Sequence, residues 1–402
     1  MLLFYAGDGF HTYIQIIIFK RLTLCLIITM EPKITNTINR ADRILLKEYI
    51  FSLYKMAKFI NTVDGHNKLL NKWEKEISSF LGLKDTLLTN SGTDALQLAL
   101  LSFGLRKGDE VIIPAVTYLS VALAAYYAGA KVIPVDIAEG DMLMDLDRLK
   151  QSISPATKAI IAIHMFGHAC RIDETMAIAK THDLAVVENI CQALGTTYKG
   201  RLAGSFGHFG TMSFRYAKTI SSFSGNGGAL LLPDDKYEKE KIKANFMEIF
   251  KGKEGLFKLQ RKLSPISFFD GLTAMIKLRH FDEIAAKKRI CKQIYTKKLG
   301  EISQVTVFPD KKESDSVRPF YFILAVRRNA LIKYLYQQGI ECETAYPPLT
   351  EFAQLGKFKK ELFPVAYKQW RCGIRLPLFP YMKTEEVNFV VDKIKDFYSK
   401  NK

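Results

Sequence analysis

Between residues 109 and 233 the chain alternates short, continuous apolar runs with longer segments of helical texture. The runs are DEVIIPA (109–115), KVIPVDI (131–137), TKAIIAIHMF (157–166), LAVVEN (184–189), FGTMSF (209–214) and GGALLLP (227–233). Most are unbroken and rich in Val and Ile, which is the pattern of strands buried on both faces. Between them lie TDALQLALLSFG (93–104), TYLSVALAAYYAG (117–129), MDLDRLKQSI (144–153) and RIDETMAIAKTHD (171–183). Their lengths, their Ala and Leu content and the glycines closing the first two predict helices. Such alternation predicts an α/β fold with a mainly parallel central sheet flanked by helices, and ligands in such sheets bind at the carboxyl ends of the strands.

After residue 234 the texture changes. A charged helical stretch runs to about residue 298, followed by strand-like VRPFYFILAV (317–326), helical NALIKYLYQQG (329–339) and a last helix TEEVNFVVDKIKDFYSK (384–400). This predicts a large domain over 46–298 that includes a helical connector, and a smaller C-terminal α+β domain over 299–402. Residues 1–45 read as an N-terminal extension. Its apolar stretch YIQIIIFKRLTLCLIIT (13–29) carries Lys20 and Arg21 at its middle. Each costs roughly 2.5–3.5 kcal/mol at a bilayer centre, so no stable membrane insertion is expected. Met30 follows at once, and translation is expected to begin there.

The 402 residues carry 58 Lys and Arg against 41 Asp and Glu, a net +17, with 48% hydrophobic and 25% charged residues. That balance excludes a disordered chain and a polytopic membrane protein. The six cysteines are scattered without a C-x-x-C pair, as in a reduced, cytoplasmic protein. Residues 236–298 hold 17 basic against 7 acidic side chains. A solvated helical surface explains this, as does a basic rim that concentrates an anionic substrate. Nucleic acid is not expected, since no zinc-finger spacing, RNP-like motif or basic heptad region is present.

Three segments carry candidate chemistry. At TNSGTDAL (89–96) a strand gives way to a helix. Backbone N–H groups of Gly92, Thr93 and Asp94, with the hydroxyls of Ser91 and Thr93, can hold a phosphate there; simple N-capping fits the same residues. In SFRYAK (213–218), Lys218 follows a buried strand, where desolvation lowers an amine's pKa and allows a Schiff base. VENICQALG (187–195) sets Glu188, Asn189 and Gln192 at a third strand end. Cys191 reads as a packed thiol. His164 and His168 have metal-like i, i+4 spacing but no evident third ligand, so core or cleft hydrogen bonding is expected, and no metal. Neither a Walker motif, nor G-x-G-x-x-G after a strand, nor a G-x-S-x-G elbow occurs.

From about Lys68 to the C-terminus the ordered set SGTDAL, PAVTY (114–118), HMFGH (164–168), ENICQALGTTYKG (188–200), GSFGHFGTMSF (204–214), AK (217–218), GNGGALL (225–231), ETAYPPL (343–349) and RLPLFP (375–380) resembles the DegT/DnrJ/EryC1/StrS family of pyridoxal-phosphate-dependent sugar aminotransferases. The resemblance implies a fold-type I aminotransferase-like architecture and pyridoxal 5'-phosphate (PLP) as cofactor. Lys218 would bind the cofactor aldehyde covalently and later move a proton. Gly92, Thr93 and Ser213, with Asp94 in the same turn, would hold the phosphate. Tyr118 would stack on the pyridine ring, Gln192 would meet its phenolic oxygen, and Asn189 would lie at the pyridine nitrogen. His164 and Tyr346 are candidates to touch substrate. The implied reaction moves an amino group from glutamate or glutamine to a keto-deoxysugar on a nucleoside diphosphate, as part of polysaccharide biosynthesis, in a homodimer.

The chain departs from the family pattern at the cofactor. Asn189 stands where an aspartate is usual, and a neutral amide does not keep the pyridine nitrogen protonated, which weakens the ring as an electron sink. Glu188 cannot substitute, because consecutive strand residues face opposite ways. Thr219 and Asn226 replace the usual Asn and Glu, and the partner-facing Asn-Tyr-Arg segment is not recognisable in KLSPISFF (262–269). These losses leave open a PLP-dependent sugar dehydratase or isomerase, and a non-catalytic relative.

Overall fold

A one-sided apolar stripe formed by Leu69, Leu70, Trp73 and Ile77 buries helix α1 (Val63–Leu81) against the body of the protein. The computed structural model describes residues 63–233 and 266–400, with a few positions between 44 and 52. The apolar segment 13–29, the expected start at Met30 and residues 262–265 of KLSPISFF lie outside the described residues.

After α1 the chain runs through β1 (Asp85–Thr89), α2 (Gly92–Ser102), β2 (Glu110–Pro114), α3 (Leu119–Tyr127), β3 (Lys131–Val135), α4 (Leu146–Ser152), β4 (Thr157–Ile163), α5 (Ile172–Thr181) and β5 (Ala185–Asn189). A small ribbon of β6 (Thr197–Tyr198) and β7 (Arg201–Leu202) precedes β8 (Phe209–Ser213), and a loop then leads to β9 (Gly228–Leu232). The seven larger strands form one sheet in the order β1-β9-β8-β5-β4-β2-β3. Neighbours from β3 to β8 pair in parallel, while β9 runs antiparallel to both β8 and β1. Every residue of β2 and β9 is buried, which is why their sequences, Glu110 apart, are apolar without alternation. Each of the six apolar runs contains one of these strands. The seventh, β1, has only two large apolar residues in DTLLT and is legible only by its end before the helix.

The shared direction has one consequence for function. The carboxyl ends of β1, β5 and β8 fall on the same edge as the amino end of β9, so Thr89, Asn189, Ser213 and Gly228 are gathered there. The loop 214–227 replaces a crossover helix and spans that edge.

Among the described residues the next helices are α6 (Phe268–Arg279) and α7 (Phe281–Leu299). Beyond them come β10 (Val305–Val307), β11 (Ser314–Asp315), β12 (Tyr321–Ala325), α8 (Arg328–Gln337), β13 (Glu343–Thr344), α9 (Pro364–Cys372), β14 (Gly373–Leu376) and α10 (Thr384–Ser399). Strands β10-β12-β14-β13 make an antiparallel sheet with its own core, to which Cys291, Tyr295 and Leu299 of α7 contribute. The expected boundary after residue 298 falls within the last turn of α7, which ends at Leu299 and already packs in the core of the small sheet.

The basic stretch is not simply a solvated surface. Lys277, Lys288 and Lys292 are buried. Lys277 donates to Ser221 O at 2.9 Å, Lys288 to the carbonyls of Arg318, Pro319 and Leu378, and Lys292 to Asp310 at 2.6 Å. Buried ammonium groups need such partners, and here they tie the connector helices to loops on either side. Among the described residues no helix is long and apolar enough to cross a membrane.

Candidate active site

The turn after β1 is built by a serine cap. Ser91 has extended backbone angles, accepts the Asp94 N–H at 3.1 Å and donates to Asp94 Oδ2 at 2.7 Å, starting α2. The Asp94 N–H is therefore engaged, and Asp94 does not offer the free donor expected of it; among the described residues the Thr93 N–H has no acceptor. Gly92 is required by close approach. A Cβ there would sit 2.8 Å from Ser213 Cβ and 3.0 Å from Cys191 Sγ. At Gly228 it would lie 2.5 Å from the Gly92 nitrogen. The helix start, the end of β8 and the start of β9 thus close a small backbone cradle beside Ser213, at the positive end of α2's dipole.

Lys218 lies on the loop after β8, in a turn where its N–H bonds Arg215 O at 3.3 Å and Ala217 takes φ = 62°. A left-handed non-glycine residue costs about 1–2 kcal/mol, a strain that the turn holds next to the candidate nucleophile. Burial pushes the Lys218 pKa down to about 8; Cys191 acts in the opposite direction, and the cations of Arg375 and Arg215 add to the depression. No hydrogen bond engages its Nζ among the described residues. The Cys191 thiol itself is pushed up to about 11 by burial, so it is a packing group and not a nucleophile at neutral pH.

Two amides at the end of β5 are oriented by backbone donors. Asn189 Oδ1 accepts the Cys191 N–H at 3.0 Å, and Gln192 Oε1 accepts the Phe166 N–H at 3.3 Å. Each oxygen is thereby assigned, and each leaves its NH2 as the group available to a ligand. Phe166 reaches Gln192 because it adopts φ = 55° in the turn after β4.

Glu188 points the other way, as the strand alternation requires. It is fully buried and accepts N–H groups of Gly204, Phe206 and Gly207 at 2.6–2.9 Å, together with His164 Nε2 at 3.0 Å. Burial raises its pKa, but the His164 and backbone hydrogen bonds outweigh it and hold the carboxyl below its usual value. For His164, burial opposes a charged ring while Cys170 and Glu188 favour one. The Cys170 N–H at 3.2 Å from Nδ1 decides for the neutral tautomer, since two N–H groups cannot face each other there. With both nitrogens engaged and no exposed surface, His164 does not reach a substrate. It braces Glu188, contrary to its reading as a substrate contact. The sequence hides this because its partner lies 24 residues away.

Tyr118 precedes α3 and is 37% exposed, with its hydroxyl accepting from Arg215. Its ring meets that of Tyr346 at 5.8 Å, edge to face. Arg375 of β14 donates to Tyr346 Oη at 3.1 Å and stacks on that ring at 4.5 Å. Arg215 and Arg375 were not singled out from the sequence, although both lie inside recognised motifs, SFRYAK and RLPLFP. Arg215 sits on the loop of Lys218 itself, whereas the approach of Arg375 depends on bringing the two sheets together.

GDP-perosamine synthase of Escherichia coli O157:H7 is 30% identical over 350 residues, covering 84% of this chain and 92% of that enzyme. The pleiotropic regulatory protein of Geobacillus stearothermophilus is 32% identical over 338 residues, covering 82% and 89%. The solved structure of S. venezuelae DesV in complex with a ketimine intermediate superposes with a TM-score of 0.80 at 25% identity, over 91% of this chain and 99% of that one. Residues 61–395 match the DegT/DnrJ/EryC1/StrS aminotransferase family, and the chain is a member of it.

Proposed function

We propose that the protein transfers an amino group, with pyridoxal 5'-phosphate as cofactor, from glutamate or glutamine to the keto group of a deoxysugar carried on a nucleoside diphosphate. One observation carries the reading: the desolvated Lys218 amine shares a strand edge with the Gly92–Ser213 cradle and with two amides whose NH2 groups are aimed by backbone donors. These residues fit the cofactor. Gly92, Thr93 and Ser213 would take its phosphate, Gln192 Nε2 would donate to its phenolic oxygen, and Tyr118 offers a ring face. When bound, the cofactor supplies the aldehyde for covalent attachment and a ring that accepts electrons.

The chain's own work is positional and protic. Lys218 Nζ, with a pKa near 8, is neutral in an appreciable fraction at neutral pH, so it can attack an aldehyde and accept a proton from a substrate carbon. Glu188 and its His164 brace fix the end of β5, on which Asn189 and Gln192 depend. Homodimer assembly and a cytoplasmic site of action belong to the same proposal. The relatives' printed names support the substrate class: they include GDP-perosamine synthases and a dTDP-3-amino-3,4,6-trideoxy-alpha-D-glucose transaminase.

Borohydride reduction with added cofactor should attach a pyridoxyl group to Lys218, detected by mass spectrometry and absent in Lys218→Ala. Glutamate should convert the yellow chromophore to the amine form of the cofactor. An unlabelled Lys218 defeats the assignment. Asn189 favours a second reading, a PLP-dependent dehydratase or isomerase acting on a sugar, because its aimed NH2 suits an unprotonated pyridine nitrogen. A chromophore that no amino donor alters would select it.

A further inference from the structure

Cations outnumber anions around Lys218. Lys218, Arg215 and Arg375 are electrostatically coupled there, and Glu343 is the one acidic side chain paired with either arginine among the described residues. Arg375 is held from several sides. Its Nε donates to Thr344 O at 2.9 Å, Nη1 to Tyr346 Oη at 3.1 Å and Nη2 to Glu343 at 2.6 Å, and the guanidinium lies over the rings of Tyr346 and Phe320. An arginine has five N–H donors, so one on each of Nη1 and Nη2 remains. The Glu343 side chain is 65% exposed and can be displaced, whereas the arginine side chain is 15% exposed and fixed. The Arg215 guanidinium donates one N–H, to Tyr118 Oη, and has no acidic partner among the described residues. The row Arg215–Tyr118–Tyr346–Arg375 is contiguous, with a ring-to-ring step of 5.8 Å, and spans from the large sheet to the small one.

We propose that Arg375 and Arg215 form a carboxylate-recognition subsite beside Lys218, set by the two tyrosines and guarded by Glu343. Planar guanidinium groups with paired free donors match a carboxylate, and a stacked, pre-positioned fork loses little freedom on binding one. Two substrates could bring such a group: the amino donor, or a sugar bearing an acid function. The subsite rests on the functional reading above only for what enters the cleft.

Calorimetry on the protein reconstituted with PLP tests it with matched, non-reacting probes: glutarate against glutaramide, and glucuronic acid 1-phosphate against glucose 1-phosphate. In one pair the carboxylate should bind at least about tenfold more tightly than its neutral counterpart. A preference for glutarate identifies the donor, and one for the glucuronic acid ester identifies the sugar. Arg375→Gln and Arg215→Gln should each bring the ratio below about threefold, Arg375→Lys should retain part of it, and Glu343→Gln should raise it by freeing the fork. The ratio is taken within one preparation, so partial misfolding lowers both probes alike. Absence of a tenfold preference in both pairs, or a preference that survives in either Gln variant, overturns the subsite. Borohydride labelling of Lys218 is scored independently: a labelled lysine without a carboxylate preference removes the subsite and leaves the function, and the converse result does the opposite.

Discussion

At Asn189 an amide replaces a carboxylate in an orientation that is not free, because the Cys191 N–H holds Oδ1. Asn189→Asp keeps that acceptor and exchanges the NH2 for a second, charged oxygen, which would favour a protonated ring nitrogen. The glutamate half-reaction is expected to quicken on the order of tenfold, equivalent to about 1.4 kcal/mol of barrier. Stopped-flow absorbance measures it, and the 15N shift of labelled cofactor reports the ring's protonation independently. An unchanged rate with a protonated ring would show that another step limits turnover. Gly92 makes a different demand. Gly92→Ala forces a Cβ to within 2.8 Å of Ser213 Cβ, so the cradle must open, and cofactor affinity should fall at least about tenfold by equilibrium dialysis while the far-UV spectrum is kept. Both positions stand out as candidates in the sequence, since motif and strand end coincide. What escaped was orientation: Asp94 looks like a donor until Ser91 is seen to take its N–H, and His164 looks like a ligand until Glu188 and Cys170 are seen on either side of it.

Strand β8, its loop and β9 act together as the element that presents Lys218. Burial and the two arginines lower the amine's pKa, so the neutral, reactive form gains with rising pH up to about 8 and is then saturated. The rate of Lys218 modification by pyridoxal, which lacks the phosphate and so bypasses the cradle, should rise about tenfold per pH unit below that value and level off above it. Continued increase toward pH 10 would mean the amine is not desolvated. Helix α7 teaches a separate lesson. Its basic composition reads as surface, yet Lys288 brings three N–H donors to three carbonyl oxygens and pins the helix to the segments at Arg318–Pro319 and Leu378. Composition cannot separate a solvated lysine from one whose acceptors arrive from 30 and 90 positions away. Lys288→Met retains the stem and orphans the carbonyls, and should destabilise the protein by about 3 kcal/mol, read as a lowered thermal midpoint.

For the whole molecule, the large sheet was readable because strands covered on both faces leave unbroken apolar runs. The small antiparallel sheet was readable only at β12, since β10, β13 and β14 span two to four residues each. The joint between the sheets was not readable at all, as it is polar and assembled from distant positions. Asp310 lies at its centre, accepting from Lys292 at 2.6 Å, Arg318 at 2.7 Å and the Ser316 N–H at 2.9 Å. Beside it, Thr196 Oγ1 donates to Gly167 O and accepts the Val317 N–H, which fastens the large sheet's loops to the same segment. Burial opposes the Asp310 charge, but Arg318 and Lys292 overcome it and hold its pKa well below the ordinary carboxyl range. A depressed acid of this kind stabilises the fold fully above its unfolded pKa and loses that contribution as pH falls toward the folded value. Asp310→Asn leaves Lys292 and Arg318 without their shared anion, and should cost about 3 kcal/mol at neutral pH. Urea titrations of both proteins at several pH values should give a constant gap above about pH 5 that narrows progressively below about pH 4, where the unfolded wild-type carboxyl takes up its proton. A gap that stayed the same through that range would mean that the shape of the side chain, and not its charge, joins the two sheets around the cleft.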